Sequence, residues 1–279
     1  MNMFRFKRRA RLPSFAGHTA VNPAMPPGDA DPTAARQKCG ILMRCLAVAA
    51  CLASLAALMY FAGFLQNWTP KGIDTGSAAN TPRAVVANCA LLILFGLVHS
   101  LMARPFFKQG LRRVAPAELE RSLYILVASM QLAMVVVLWT PLPAPLWTID
   151  AQWGTLAVLS LFAFGNLLLI WAILCIDPWH FFGLRQVFSP AAPEPLFSMR
   201  GPYRHVRHPI QAGLIIALWA TPSMTVGHAL LAATLTLYSI TATLFLEERD
   251  LVNTIGPAYC TYRSKVPAML PFFMLRRRR

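Results

Sequence analysis

The chain has 279 residues, 56% of them hydrophobic and only 13% charged, with a mean hydropathy of +0.50 and a formal net charge of +15. A soluble domain carries roughly 25% charged residues, so this composition excludes an ordinary soluble fold and points to an integral membrane protein. The positive excess does not indicate a nucleic-acid partner, because the cations lie in the segments between apolar runs.

Residues 1–40 open on FRFKRRAR, are rich in Pro and lack apolar periodicity, which predicts a disordered basic arm that can touch anionic lipid. A membrane-crossing helix needs about 20 apolar residues. Ile41–Leu65, Val85–Leu101, Leu123–Trp139 and Trp153–Ile176 are the first four candidates. The first is too long, and starts too far into the chain, to be a cleaved signal peptide. The stretch Ile210–Leu246 is long enough for two passes and is broken by Thr221-Pro222-Ser223. It is read as a short fifth span followed by a sixth over Val226–Leu246. Residues 276–279, RRRR, form a basic tail.

Lys plus Arg in the successive connecting segments number 7, 2, 5, 0, 4, 0 and 7, with Arg44 alone inside a span. By the positive-inside rule this alternation predicts six crossings with both termini in the cytoplasm. A five-span alternative would put the Arg-rich tail outside. The expected fold is therefore an all-α integral membrane protein. The six Cys are scattered without a CxxC pair, so neither a disulfide framework nor a zinc site is indicated.

Under this topology four polar clusters meet at one membrane face: His99, IDPWHFFGLRQ (Ile176–Gln186), RGPYRHVRHP (Arg200–Pro209) and LEERD (Leu246–Asp250). Ionisable groups beside hydrocarbon are costly and point to function. Pro209 suits the first turn of a helix. Glu247 and Glu248 read as closing the last span at the negative end of its dipole, where carboxylates are disfavoured by roughly 0.3–1 kcal/mol each. A cation should compensate: Arg207, Arg249 or a cationic ligand. Asp177, followed by Pro178, reads as a helix stop or as a functional carboxylate, and His99 as an interhelical hydrogen bonder or a functional imidazole. No glycine-rich phosphate loop and no HExxH is present, which disfavours a nucleotide triphosphate enzyme and a zinc protease. No metal is expected, since His205 and His208 beside Pro209 make a poor ligand pair. Carboxylates, Arg, His and Tyr at the mouth of an apolar cavity suit an amphipathic zwitterion and an apolar co-substrate.

The stretch YRHVRHPIQAG followed by EERDLVNTIGPAYCTYRSKVP resembles the C-terminal signature of the isoprenylcysteine carboxyl methyltransferase superfamily, RHPxYxG, then EE, then GxxYxxY ending in VP. The match departs at Gln211, where that pattern has Tyr. HSLMARPFFK, ERSLYILVAS, FGLRQV and WATPSMTVGH are similar to the NnrU-like branch and, within it, to the methanethiol S-methyltransferases. The resemblance covers about residues 41–272. It implies a methyltransferase domain over 41–275, S-adenosylmethionine as methyl donor, and a donor site within 200–265. On one side of that site it places Tyr203, His205, Arg207, His208 and Pro209. On the other it places Glu247, Glu248, Tyr259, Tyr262 and Arg263. It also implies a small volatile thiol as acceptor, a bilayer setting (the bacterial inner membrane) and an active site facing the cytoplasm. Two alternatives stay open: a methyltransferase of the same fold acting on isoprenylcysteine carboxylate, a phospholipid or another small thiol, and a non-enzymatic membrane accessory protein or small transporter. The intact RHP and the carboxylates at 247–248 speak against the last of these.

The chemistry sets its own requirements. An alkyl thiol like that of Cys titrates near 8.5, so an acceptor thiol needs a base or a cationic site to react as thiolate. Attack of a thiolate on a sulfonium destroys both charges and gains from a dry site. Asp177 orienting His99 or His180, with Arg185 nearby, is the base expected from the sequence. Methanethiol calls for a small closed cavity walled by Trp, Phe and Leu, and a lipid acceptor for a wide groove.

Overall fold

The computed structural model describes residues 32–76, 81–189 and 198–269. Residues 1–31 of the expected arm and the basic tail 276–279 lie outside the described residues. The chain divides into two units at Gly40, and the helical bundle belongs to the unit that begins there.

The helices are α1 (Pro32–Leu65), α2 (Thr81–Met102), α3 (Pro105–Leu111), α4 (Glu120–Leu138), α5 (Gln152–Ile176), the short α6 (Pro178–Phe181) and α7 (Leu184–Phe188), α8 (Pro209–Trp219), α9 (Val226–Thr241), α10 (Glu248–Ile255) and α11 (Pro257–Lys265). A π-helical turn, Ala242–Glu247, joins α9 to α10. Among the described residues, five stretches are long and apolar enough to cross a membrane: Gly40–Leu65, Thr81–Met102, Ala117–Leu138, Gln152–Ile176 and Val226–Ile255. These match five of the six expected spans.

The remaining expected span is not a membrane-length helix. Helix α8 has 11 residues, about 17 Å at 1.5 Å per residue, against a hydrocarbon core of about 30 Å. Its segment nevertheless runs the length of α5. At one end Ser198 Oγ donates to the Cys175 carbonyl (2.8 Å). At the other, Ile149 N–H donates to the Pro222 carbonyl (2.9 Å), and β1 (Pro145–Thr148) pairs antiparallel with β2 (Ser223–Thr225). In between, α8 and α5 approach backbone to backbone. A Cβ on Gly213 would stand 2.5 Å from the Gly165 carbonyl oxygen, and one on Gly165 would stand 2.7 Å from that of Gly213, so only glycine fits this small-residue crossing. Pro222 stops the helix early, and partners take up the carbonyls this frees. His228 Nε2 donates to Leu218 O (2.9 Å) and Gln66 Nε2 to Ala220 O (2.9 Å).

The core sits toward this end of the bundle, where Phe61, Phe64 and Leu65 of α1 pack with Trp139, Phe162, Leu218 and Leu231. At the opposite end, Ala47 of α1 packs with Leu119 and Val187, and Arg44 lies over the Phe188 ring (5.6 Å). That opposite end therefore gathers the part of α1 that follows Gly40, the ends of α2 and α5, the starts of α4 and α8, and α10.

One expectation is overturned here. The last span does not close at Leu246; the rod continues to Ile255. Glu247 and Glu248 are thus interior to it, and no helix dipole opposes them.

Candidate active site

Glu248 is the organising group. It is 1% exposed, and its carboxylate collects two guanidinium groups and an imidazole. Arg207 Nε reaches Oε1 at 2.7 Å, His208 Nε2 the same oxygen at 3.0 Å, and Arg263 Nε reaches Oε2 at 2.9 Å. The tail closes over this clamp by backbone bonds. Arg207 N–H donates to Pro267 O (2.9 Å), His208 N–H to Ala268 O (2.9 Å), and Arg207 Nη1 to Val266 O. Tyr262 hydroxyl donates to Tyr203 O (2.6 Å). Burial pushes the Tyr262 phenol up to about 12 and those of Tyr203 and Tyr259 higher still, so all three stay protonated. Gly256, at φ +73°, turns the chain from α10 into α11 and so aims Tyr259 and Tyr262 back at the RHP turn. Pro209 is buried at the first turn of α8, as its lack of an N–H allows.

The two glutamates part company. Successive helical residues point about 100° apart, and Glu247, with 46% of its side chain exposed, faces a cavity. It accepts from Gln211 Nε2 (3.2 Å), and His208 Nδ1 stands 3.8 Å away. This smaller cavity, about 190 Å³, is lined by Tyr203, Arg207, His208, Gln211, Glu247, His180, Tyr259 and Tyr262 among others. It thus presents a carboxylate beside a guanidinium and an imidazole, groups that suit the two ends of a zwitterion. Glu248 does not line it.

A second cavity of about 590 Å³ adjoins the first, sharing Ile210, Gln211, Glu247 and Leu251. Its wall is mostly apolar, with Phe61, Phe95, Phe181 and several Leu, and among the described residues no Trp. It is neither small nor closed, contrary to the expectation for methanethiol alone. Its polar lining, which includes Arg104, Glu247, Asp250 and Tyr238, also holds His99, whose Nε2 lies 2.6 Å from the Tyr124 hydroxyl and whose ring stacks on Phe95 (5.4 Å). His99 Nδ1 is buried without a hydrogen-bond partner among the described residues. Arg121 lies over the Tyr124 ring (5.1 Å) and donates from Nε to Phe181 O (2.9 Å). Arg104 and Asp250 close the polar end with an ion pair at 2.9 Å.

Some expected residues fall elsewhere. The Asp177–imidazole pair is not formed. Asp177 caps α6, accepting from Trp179 N–H (3.0 Å) and His180 N–H (3.2 Å), and pairs with Arg185. Neither Asp177 nor Arg185 lines either cavity. The His180 side chain lines the smaller cavity and its Nδ1 meets Gln186 Nε2 (3.1 Å). His205 is exposed and lines neither cavity. Sequence reasoning did not single out Tyr124, and it named Gln211 without giving it a role. The first stands in the quoted ERSLYILVAS, and the second is the departure from the superfamily pattern.

Burial raises the Asp177 carboxyl, but the His180 N–H, the Arg185 guanidinium and the Trp179 N–H outweigh it and hold the group below the usual carboxylate range. A depressed carboxyl stabilises the fold fully at neutral pH and loses that contribution as acid takes the pH below the ordinary carboxylate value and through the lowered one. Asp177→Ala is expected to cost about 0.5–2 kcal/mol, the size of a lost helix cap, with turnover nearly intact. Thermal unfolding at pH 7 and pH 3 checks this: the gap between variant and parent should narrow at pH 3.

A bundle of membrane-length helices that encloses a charged pocket opening into an apolar chamber is the architecture of an integral membrane enzyme. The comparisons with known proteins specify which. Methanethiol S-methyltransferase 2 of Bradyrhizobium diazoefficiens is 38% identical over 239 residues, covering 83% of this chain and 91% of that protein. The methanethiol S-methyltransferase of Mycobacterium tuberculosis is 38% identical over 226 residues, 79% of this chain and 92% of that protein. Nurim of Mus musculus is 35% identical over 193 residues, 63% of this chain and 73% of that protein. No family model matches the chain, and no solved structure matches it. The chain belongs to the methanethiol S-methyltransferase family, and it is a membrane-bound S-methyltransferase.

Proposed function

We propose that this protein transfers the methyl group of S-adenosylmethionine to methanethiol, giving dimethyl sulfide, within residues 41–275 and at the cytoplasmic end of a bacterial inner-membrane bundle. The observation that carries this reading is the junction of the two cavities at Gln211 and Glu247. The donor's amino-acid end is a zwitterion and its sulfonium a cation. Arg207 and His208 suit the carboxylate; Glu247 suits the positive groups, since its charge is not consumed by the Glu248 clamp. A ligand of this size exceeds 190 Å³ and continues past Gln211 into the larger cavity.

His99 is the group best placed to handle the acceptor. With Nε2 engaged by Tyr124, Nδ1 is the ring position left for a thiol. The thiol S–H gives its proton to Nδ1. The thiolate sulfur then forms the new S–C bond while the sulfonium S–C bond breaks, and that electron pair stays on the donor sulfur as a neutral thioether. The apolar wall keeps water from shielding either ion, and the remaining requirement is in-line positioning. The lipid-facing helices let a small apolar thiol arrive through the bilayer.

Purified protein incubated with methyl-labelled S-adenosylmethionine and methanethiol should release labelled dimethyl sulfide into the headspace. Donor binding without any labelled sulfide would overturn the reading.

A further inference from the structure

The larger cavity does not end at His99 and Tyr124. Its lining continues toward the opposite end of the bundle through Leu58, Phe61, Phe95, Leu132, Leu214 and Leu235. On α4 the step from Tyr124 to Leu132 is eight residues, about 12 Å at 1.5 Å per residue. The imidazole–phenol pair therefore sits partway along the chamber, with an apolar well beyond it. Methanethiol has two heavy atoms and displaces on the order of 60 Å³, two water volumes. The donor enters from the other side and takes the part of this cavity next to Gln211 and Glu247, which leaves the well beyond His99 to the acceptor. Apolar walls hold water poorly, so the well suits an apolar occupant.

We propose that the acceptor site takes primary alkanethiols with chains of about four to eight carbons, the alkyl tail lying in the well and the sulfur at His99. This rests on the reading of the protein as a thiol S-methyltransferase and extends its acceptor class. The transfer is the same: the thiol proton passes to His99, the thiolate takes the methyl group, and the product is an alkyl methyl thioether. The side chains named above along the well are apolar, so a hydrocarbon tail suits it better than a peptide or a headgroup.

The test measures kcat/KM, on free aqueous thiol, for methanethiol, butanethiol, hexanethiol and dodecanethiol with the wild-type protein and S-adenosylmethionine. Each buried methylene contributes about fourfold, so hexanethiol should exceed methanethiol by at least about tenfold. Dodecanethiol should gain nothing further, because the well is finite. Leu132→Phe and Leu235→Phe, which fill the well, should each lower the hexanethiol-to-methanethiol ratio by about tenfold. As a readout apart from turnover, hexyl methyl sulfide should raise the thermal midpoint of the protein where dimethyl sulfide does not. Methanethiol turnover with hexanethiol equal or slower overturns this proposal and leaves the proposed function standing. Hexanethiol turnover without methanethiol turnover upholds it and removes methanethiol as the acceptor. Donor binding with no thiol methylated removes both.

Discussion

Glu248→Ala should be the most damaging single substitution in the protein. The carboxylate is buried, and so are two of its partners, with Arg207 at 9% and His208 at 3% side-chain exposure. Removing one partner of a buried ion pair costs about 3–5 kcal/mol, mainly because the opposite charge is left unpaired in a poor solvent. Arg263, half in water, adds little to that sum. For a chain of this size the loss corresponds to roughly 10 °C in thermal midpoint. It should also abolish donor binding, because Glu248 ties the RHP turn to the tail that carries Tyr259 and Tyr262. Glu248→Gln keeps the shape but leaves Arg207 without an anion, and should recover only part of the loss. Thermal unfolding in one detergent across the three proteins checks the order wild type, Gln, Ala. Equal midpoints would mean that the clamp does not hold the site together.

His99→Phe should have the largest effect on chemistry. Phenylalanine fills the same space against Phe95 and keeps the wall apolar, but it cannot take a proton. A positioned base typically contributes about 10²–10⁴-fold, so kcat should fall within that range while the protein stays folded. The deficit should shrink as pH rises toward the thiol's own value, because solution thiolate then substitutes for the missing base. Tyr124→Phe removes the partner on Nε2 and should give a smaller loss with the same pH trend. A His99→Phe protein with undiminished kcat at neutral pH would send the proton elsewhere, His180 in the smaller cavity being the next imidazole in reach.

Much of this architecture could be read from residue order, and the exceptions have physical causes. Long apolar windows and alternating basic loops report membrane passes directly, which is why five spans and their common polar end are legible. The extent of α9–α10 is not, because EERD resembles a helix end. Its buried charge, Glu248, is tolerated inside the rod because Arg207, His208 and Arg263 come to it from elsewhere in the chain. The π turn before Glu248 leaves no periodic trace in six residues. WATPSMTVGH is as distinctive as the RHP motif, yet its part is structural: His228 closes the frayed end of α8 at the pole away from the site. Asp177 shows the converse. A lone carboxylate after an apolar helix invites a catalytic role, whereas its oxygens are taken by two backbone N–H groups and Arg185. The His99–Tyr124 bond joins α2 to α4 across 25 residues, and no spacing rule links them.

The central claim is a division of labour: the donor is held on the Glu247 side of Gln211 and the acceptor is handled on the His99 side. Calorimetric titration of S-adenosylmethionine into Glu247→Gln and His99→Phe tests it most directly. Glu247 is half exposed, and its bond from Gln211 is one that a glutamine oxygen can also accept. Glu247→Gln should therefore fold normally yet bind the donor at least about 10-fold more weakly, the worth of one charge-assisted contact. His99→Phe should bind it as the wild type does. The reverse pattern, with affinity lost in His99→Phe and kept in Glu247→Gln, would contradict the account.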